Sequence, residues 1–388
     1  MTILAAGGGS GGHVTPVLAV LRELKKHDKN LKAYFITDKA FGQQATGIID
    51  TLNFKVPVKK INAGKFRRFH SVSVWKQIFN LPMTFKNIGD VFVTGVGLLQ
   101  SVRYLRKVKP DVVFTKGGFV CLPVGLAASF LKIPLVIHDS DSLPGLTNKL
   151  LAKHATIIAT GAPVENYPYP REKTHYVGVP VSAAFRPVTQ QEKEKCRSVL
   201  GMVDIKKPLV VVTGGGLGAR NLNRAIVSVA EPLLKKCSIL HITGQSNYNE
   251  VMQRAPESAD YVVKPFINGL ALAFGGADVV VTRAGATTTS ELAAMAKPTI
   301  IVPNPYLTGG HQIKNAEVFA KAGAAIVVQE DKIVMNPVIL KLAIEKIIDD
   351  KKTMNDLSKA IYKFAKPDSA IDMAELIVSA AYKNKERA

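Results

Sequence analysis

The chain has 388 residues, 47% of them hydrophobic and 21% charged, which is enough to bury the cores of two domains and excludes a disordered polymer. Its three cysteines (Cys121, Cys196, Cys237) have no metal-ligand or redox spacing, which points to a reduced cytosolic protein. No run reaches ~18 uninterrupted apolar residues, so no membrane span is expected. The net charge of +21 is uneven: residues 1–180 carry 24 Lys and Arg against 10 Asp and Glu, a net +14, so the first half is expected to meet an anionic partner.

Thr2 to Ala5 reads as a short buried strand with no basic leader before it, so no signal peptide is expected. It runs into Gly7-Gly8-Gly9-Ser10-Gly11-Gly12-His13, and Val14 to Lys26 reads as a helix with Thr15 as N-cap and Pro16 at its first position. A glycine loop between a strand and a helix lets backbone N–H groups approach a phosphate or sugar at the positive helix end. His13 is the titratable side chain of that loop. The helix N-terminus is expected to keep it neutral and able to act as a general base.

Strands follow at Lys32–Thr37, Val112–Thr115, Leu135–His138 and Thr156–Ala159, with helices at Pro123–Leu131 and Gly145–Lys153. Tandem strand–helix units build an open parallel sheet, so Gly7–His13, Gly117-Gly118 and His138–Asp141 are expected at its carboxyl edge. Val177 to Pro187 reads as a boundary, and Gln190–Val199 as a polar helix. The pattern then restarts with strand Leu209–Thr213, a second glycine loop at Gly214–Gly218, and a helix from Arg220 to about Leu234. Further strands are read at Ile239–Thr243, Tyr261–Lys264, Val279–Arg283, Thr299–Val302 and Ala325–Val328, and helices at Ala286–Ala296 and His311–Ala322. The fold class is therefore α/β, with two doubly wound domains, expected to face each other across a cleft. The first is residues 1–180, with the terminal segment 368–388 packing back on it, and the second is residues 187–366.

A dehydrogenase uses similar parts, but the first loop lacks Gly-x-Gly-x-x-Gly spacing and Lys39 follows Asp38 where a ribose acid would stand. In the second half, Arg283-Ala284-Gly285-Ala286-Thr287-Thr288-Thr289-Ser290-Glu291 ends a strand and opens a helix. It can bind a diphosphate through N–H groups and hydroxyls, with Glu291 for two ribose hydroxyls; Thr288-x-x-Glu291 also reads as a capping box. His311-Gln312-x-x-Asn315 opens another helix, where Gln312 could read sugar hydroxyls.

In this order, Gly8–His13, Lys116–Val120, Pro144–Lys149, Gly214–Arg220 and Arg283–Glu291 with His311-Gln312-x-x-Asn315 resemble the MurG glycosyltransferases, which are of GT-B fold. The resemblance covers nearly the whole chain. It implies an inverting transferase moving N-acetylglucosamine from UDP-N-acetylglucosamine onto undecaprenyl-diphospho-N-acetylmuramoyl-pentapeptide at the cytoplasmic membrane face. It also implies no divalent metal and no cofactor besides the donor. His13 would be the base. Ser10, Gly11, Gly12, Gly117, Gly118, Asp141 and Asn148 would lie near the acceptor diphosphate. Gly216, Ala286, Thr287 and Thr288 would meet the donor, Glu291 its ribose, the backbone near Ile267 the uracil, and His311 and Gln312 the sugar.

Three motifs depart from the family pattern. His138-Asp139-Ser140-Asp141 stands for His-Glu-Gln-Asn, Gly216-Leu217 for a Ser-Gln pair, and Gly178-Val179-Pro180-Val181-Ser182 for Gly-Asn-Pro-Val-Arg, where Arg186 could replace the lost arginine. These keep open a GT-B transferase for another lipid acceptor, such as diacylglycerol. A UDP-sugar epimerase of the same fold would not need the basic, aromatic first half, and no nucleic-acid-binding module is found. Lys65-Phe66-Arg67-Arg68-Phe69 with Val74, Trp75, Ile78, Phe79, Leu81, Met83 and Phe85 interleaves basic and aromatic side chains, as on a surface seated in anionic lipid headgroups. His138 is the rival base, although Asp139 and Asp141 are expected to keep it charged.

Overall fold

The structure is a computed structural model that describes residues 1–65, 81–216, 218–267, 269–306 and 310–385. The chain forms two compact units, Met1–Ser182 with Asp368–Ala388, and Ala183–Pro367.

The first unit is built on seven parallel strands: β1 (Thr2–Ala6), β2 (Lys32–Asp38), β3 (Val58–Ile61), β4 (Val112–Thr115), β5 (Leu135–Asp139), β6 (Ile157–Thr160) and β7 (Thr174–Tyr176). Their order is β3-β2-β1-β4-β5-β6-β7. In β1, Ala5 pairs with Phe35 on one side and Phe114 on the other. The strand alternates two cores. Ile3 and Ala5 face Val17, Leu21 and Leu24 of helix Thr15–His27, whereas Leu4 and Ala6 face the layer that holds Val124 and Ala128 of helix Cys121–Phe130. Helix Ser369–Lys385 places Met373, Ala374, Ile377, Ala380 and Ala381 in the first of these cores, at the spacing of one helical face.

The second unit has six parallel strands: β8 (Leu209–Thr213), β9 (Ser238–Ile242), β10 (Tyr261–Lys264), β11 (Val279–Thr282), β12 (Thr299–Ile301) and β13 (Ile326–Val327). Their order is β10-β9-β8-β11-β12-β13. The alternation recurs: Val210 and Val212 belong to one core, Leu209 and Val211 to the other. Helix Gln190–Val199 opens with a capping box, in which Thr189 Oγ1 accepts from Glu192 N (3.2 Å) and Thr189 N donates to Glu192 Oε2 (2.8 Å). The helix after the second glycine loop is two pieces, Arg220–Ser228 and Ala230–Leu234.

Strands β3 and β7 are absent from the sequence reading. Both are edge strands with exposed middles, Val-Lys-Lys-Ile and Thr-His-Tyr, so neither carries an apolar run. Helix Leu81–Val108 carries no clear helical pattern in the sequence, because Gly89, Gly95 and Gly97 interrupt it. Gly97 is there for close approach: a Cβ on it would stand 2.0 Å from the carbonyl oxygen of Asn62. Thr15 is not an N-cap. The chain enters its helix from a 3-10 turn at Gly11–His13, Val14 holds the cap position, and Thr15 Oγ1 donates to Gly11 O (3.2 Å).

Candidate active site

All strands of the first sheet are parallel, so the segments after β1, β4 and β5 leave the same edge side by side. The loop after β1 is tied down by Asp38, at the end of β2. Its Oδ2 accepts from Gly9 N and its Oδ1 from Phe41 N, each at 2.9 Å. Asp38, rejected as a ribose acid on the sequence, is a loop anchor. A Cβ on Gly8 would stand 2.4 Å from Asp38 Oδ2, and one on Gly118, at φ +88°, 2.8 Å from Gly8 O. Two glycine turns thus pack backbone to backbone.

His13 projects from the 3-10 turn onto the Gly117-Gly118 turn. A Cβ on Gly117 would be 3.7 Å from its Cε1, and one on Gly118 3.4 Å from its Cδ2. The residue is part-exposed, but its Nδ1 is buried with no hydrogen-bond partner among the described residues. Burial, followed by the Lys116 ammonium, pushes the imidazole down to about 4 against the opposing pull of Asp141. The neutral form expected from the sequence is present, but these causes, rather than the helix end, lead it.

Lys116 follows β4 directly, at 1% exposure, with its Nζ hydrogen-bonded to Ser140 Oγ. Burial lowers its ammonium to about 8, opposed by Asp141 and Asp139. The signal of this lysine in the sequence is a charged residue directly before two glycines at a strand end.

His138 differs from expectation. It is buried on β5, its Nε2 donates to Gly178 O (2.8 Å), and burial and Lys116 hold its pKa well below the ordinary value. The expected charge is absent because burial first, and the Lys116 ammonium second, disfavour the imidazolium, and the ring is committed to the chain after β7. Asp139 accepts from Tyr169 OH (2.7 Å) and Gly145 N (3.0 Å), and burial raises its carboxyl to about 6. Asn148 is buried in the helix that follows. Its Nδ2 donates to His138 O (3.0 Å), while its Oδ1 is buried without a partner among the described residues. Ser10, Gly11 and Gly12 lie in the same loop as His13, and Asp141, whose carbonyl accepts from Tyr167 OH (2.6 Å), follows β5. The first unit therefore brings its predicted site residues to one edge.

The second unit repeats the arrangement. Gly216 lies exposed in the loop after β8. Gly218 in that loop has φ +76°, and a Cβ there would stand 2.3 Å from Thr243 O. After β11, Gly285 caps helix Ala286–Ala294 through its backbone alone, and the first N–H to reach a carbonyl four back is that of Thr289 (3.0 Å). Ala286, Thr287 and Thr288 are half-buried at that helix start. The capping box is absent, because Thr288 and Glu291 are both interior to the helix. Glu291 is instead buried, no described residue hydrogen-bonds its carboxylate, and burial raises it to about 8.

Arg283 fixes this loop from below. Its Nη2 pairs with Glu330 Oε1 at 2.5 Å and its Nη1 donates to Val302 O at 3.1 Å, with both side chains buried. Asn315 Nδ2 donates to Ala284 O (3.0 Å) from helix His311–Lys321. Gln312 Oε1 accepts from Asn304 N (2.8 Å), so the residue expected to contact the sugar also pins the segment after β12. Ile267, after β10, packs its side chain on the core and leaves its backbone at the edge. Arg186 is held by Glu192 on the surface, Nη2 to Oε1 at 2.5 Å.

Comparison with known proteins follows the same division. Residues 3–160 match the glycosyltransferase family 28 N-terminal domain, and residues 209–373 the C-terminal domain of that family. A Bacillus pumilus protein named UDP-N-acetylglucosamine--N-acetylmuramyl-(pentapeptide) pyrophosphoryl-undecaprenol N-acetylglucosamine transferase is 33% identical over 375 residues, 95% of this chain and 96% of its own. Among solved structures, Acinetobacter baumannii MurG superposes with a TM-score of 0.68 at 24% identity, covering 97% of this chain and 99% of its own. UDP-GlcNAc 2-epimerase from Neisseria meningitidis does so at 0.65 and 13%, covering 98% of this chain and all of its own. At these identities the two structures speak for the fold alone.

Proposed function

Since the chain belongs to glycosyltransferase family 28, as one of its MurG-type members, we propose that it transfers N-acetylglucosamine from UDP-N-acetylglucosamine to undecaprenyl-diphospho-N-acetylmuramoyl-pentapeptide, with inversion, in peptidoglycan synthesis. The observation that carries this reading is the match to the Bacillus transferase along 95% of the chain, together with the two family domain matches, whose residues 3–160 and 209–373 span both glycine loops. The acceptor hydroxyl oxygen bonds to the anomeric carbon as the bond to the nucleotide diphosphate breaks. His13 takes the hydroxyl proton, and UDP leaves with the bonding electron pair. The glycine turns at Gly11-Gly12 and Gly117-Gly118, with Ser10, Asp141 and Asn148, receive the acceptor diphosphate and sugar. The buried Oδ1 of Asn148 offers an acceptor for a sugar hydroxyl. Gly216 and Ala286 to Thr288 receive the donor diphosphate, the backbone at Ile267 the uracil, Glu291 the ribose, and His311 and Gln312 the sugar.

Incorporation of labelled N-acetylglucosamine from its UDP donor into lipid-extractable material, with candidate acceptors compared, tests this directly. Label passing to diacylglycerol and not to the muramoyl lipid would replace the reading with a second one, a transferase for another lipid. Asp139-Ser140-Asp141, with Lys116 bonded to Ser140, favours that comparison, because it changes the polar groups at the acceptor edge.

Glu291→Ala is expected to weaken UDP binding by about 1–3 kcal/mol, the loss of two ordinary hydrogen bonds to the ribose hydroxyls, because burial keeps the carboxyl protonated at neutral pH. Calorimetric titration of the folded variant measures it, and an unchanged dissociation constant rejects the ribose role. The buried carboxyl also makes stability pH-dependent. Its folded pKa, about 8, is raised above the ordinary 4.5, so the folded state binds the extra proton between these values. Stability without nucleotide is therefore expected to fall as pH rises through that window, and less steeply in Glu291→Gln.

The acceptor's lipid requires the enzyme to work at a membrane surface, and we place it peripherally on the cytoplasmic face. Among the described residues, no helix is long and apolar enough to cross a membrane. On helix Leu81–Val108, Ile88, Val91, Phe92, Val96 and Leu99 share one face and are 45–72% exposed. The basic and aromatic stretch Phe66 to Asn80 lies outside the described residues, and Lys65 just before it is exposed. Changing Lys65, Arg67 and Arg68 together to Glu is expected to release the protein from anionic vesicles in a sedimentation assay. Binding at the wild-type level would remove this surface as the anchor.

A further inference from the structure

Lys116, directly after β4, is a lysine at 1% exposure, and two of the other strands, β2 and β5, end in the buried carboxylates Asp38 and Asp139. Burying an ammonium is costly unless its charge is used or compensated. Compensation is present: Ser140 accepts its hydrogen bond, and Asp139 and Asp141 favour its charged form. The use of the charge follows from what Lys116 precedes. Its own N–H donates to Ala6 O (3.0 Å), which locks the end of β4 to the end of β1, and the next two residues form the turn against which the His13 ring rests. The charged and titratable groups gathered here are Lys116 directly after β4, Cys121 from the helix that follows, whose thiol donates to Gly117 O (2.9 Å), His138 and Asp139 from β5, Tyr169 on Asp139, Asp141 from the loop after β5, and Asp38 from β2 through Gly9. Burial keeps the Cys121 thiol protonated, pushed up to about 12, so the charges other than Lys116 are those of carboxylates, and carboxylates alone would draw a proton onto His13.

We propose that Lys116 is a positioning residue for the transfer reaction: its buried ammonium, held by Ser140 ahead of the Gly117-Gly118 turn, keeps the His13 imidazole in the neutral form that accepts a proton. The inference deepens the reading of His13 as the base and rests on it for its catalytic consequence, but its electrostatic content stands apart from that reading. Lys116 ranks just after burial among the influences that lower His13, and Asp141 opposes it. Removing the cation takes away one lowering influence and leaves Asp139 and Asp141 uncompensated, so both changes favour the imidazolium.

The test is NMR titration of the His13 imidazole in the full-length protein without substrate, for wild type, Lys116→Met and Lys116→Arg, alongside kcat/KM against pH. In Lys116→Met the His13 midpoint is expected to rise by about one pH unit or more, the lower end of the range for losing a nearby charge. The acidic limb of kcat/KM should rise with it, and activity should recover at alkaline pH. Lys116→Arg keeps the charge and is expected to keep the wild-type midpoint, which separates charge from packing if the methionine variant is unstable. An unmoved His13 midpoint in Lys116→Met, or a midpoint in Lys116→Arg that rises as far as in Lys116→Met, overturns the inference. A shifted midpoint with an unmoved kinetic limb upholds the inference and removes His13 as the base.

Discussion

His13→Ala is expected to lower turnover by about 10²–10⁴-fold, the range for losing a general base. An inverting displacement releases one proton from the acceptor hydroxyl, and among the groups at the first sheet edge His13 is the one prepared to take it. Its ring is held neutral by burial and the Lys116 ammonium, the residue is part-exposed, and it stands on the loop expected to meet the acceptor. His138 is also neutral, but it already donates from Nε2 to Gly178 O and is buried on its strand. UDP affinity is expected to change little, because His13 belongs to the first unit and the residues proposed to hold the nucleotide belong to the second. The pH dependence sharpens the assignment. A base whose pKa is lowered to about 4 stays competent from neutral pH down to roughly pH 5, and activity falls only as protons bind below that. Asp139 is raised to about 6. An acidic limb near 6 in the wild type, or turnover of folded His13→Ala within a few-fold of wild type with chemistry rate-limiting, would move the assignment to Asp139.

Glu330→Ala is expected to destabilise the second unit by about 3–5 kcal/mol, the cost of leaving one partner of a buried ion pair uncompensated. The pair is closed to solvent on both sides, at 8% and 5% side-chain exposure, and Arg283 has only the Val302 carbonyl as a further recorded acceptor. Because Arg283 begins the segment that leads into helix Ala286–Ala294, UDP affinity should fall together with stability. Replacing both partners, Arg283→Met with Glu330→Leu, is expected to restore much of the stability and not the affinity, because an apolar pair fills the space without fixing the loop's direction. Urea unfolding followed by circular dichroism, with UDP titration of each folded variant, measures both. A Glu330→Ala loss below about 1 kcal/mol would show that solvent reaches Arg283 and that the pair does not anchor the loop.

The sequence by itself determined the two-fold α/β repeat. Buried parallel strands are continuous apolar runs, such as Leu-Val-Val-Val-Thr at β8 and Val-Val-Phe-Thr at β4, and each glycine loop marks a strand-to-helix turn that a side chain would obstruct. It also brought the candidate residues into order along the chain, since parallel strands deliver their following loops to one edge. Edge strands β3 and β7 were illegible, because a strand packed on few sides needs few apolar residues. The tertiary structure alone decided the protonation states. Near neighbours in sequence suggested that Asp139 and Asp141 would charge His138, and that a helix end would hold His13 neutral. In the fold, depth of burial and the ammonium of Lys116, 103 positions from His13 in sequence and one residue from its ring's resting place in space, outweigh both. Likewise, Thr288 and Glu291 have capping-box spacing, yet the helix begins earlier and leaves Glu291 a buried carboxyl without a recorded partner. Spacing along a chain specifies which groups can share a face; desolvation and charge at close range depend on what the rest of the chain packs around them.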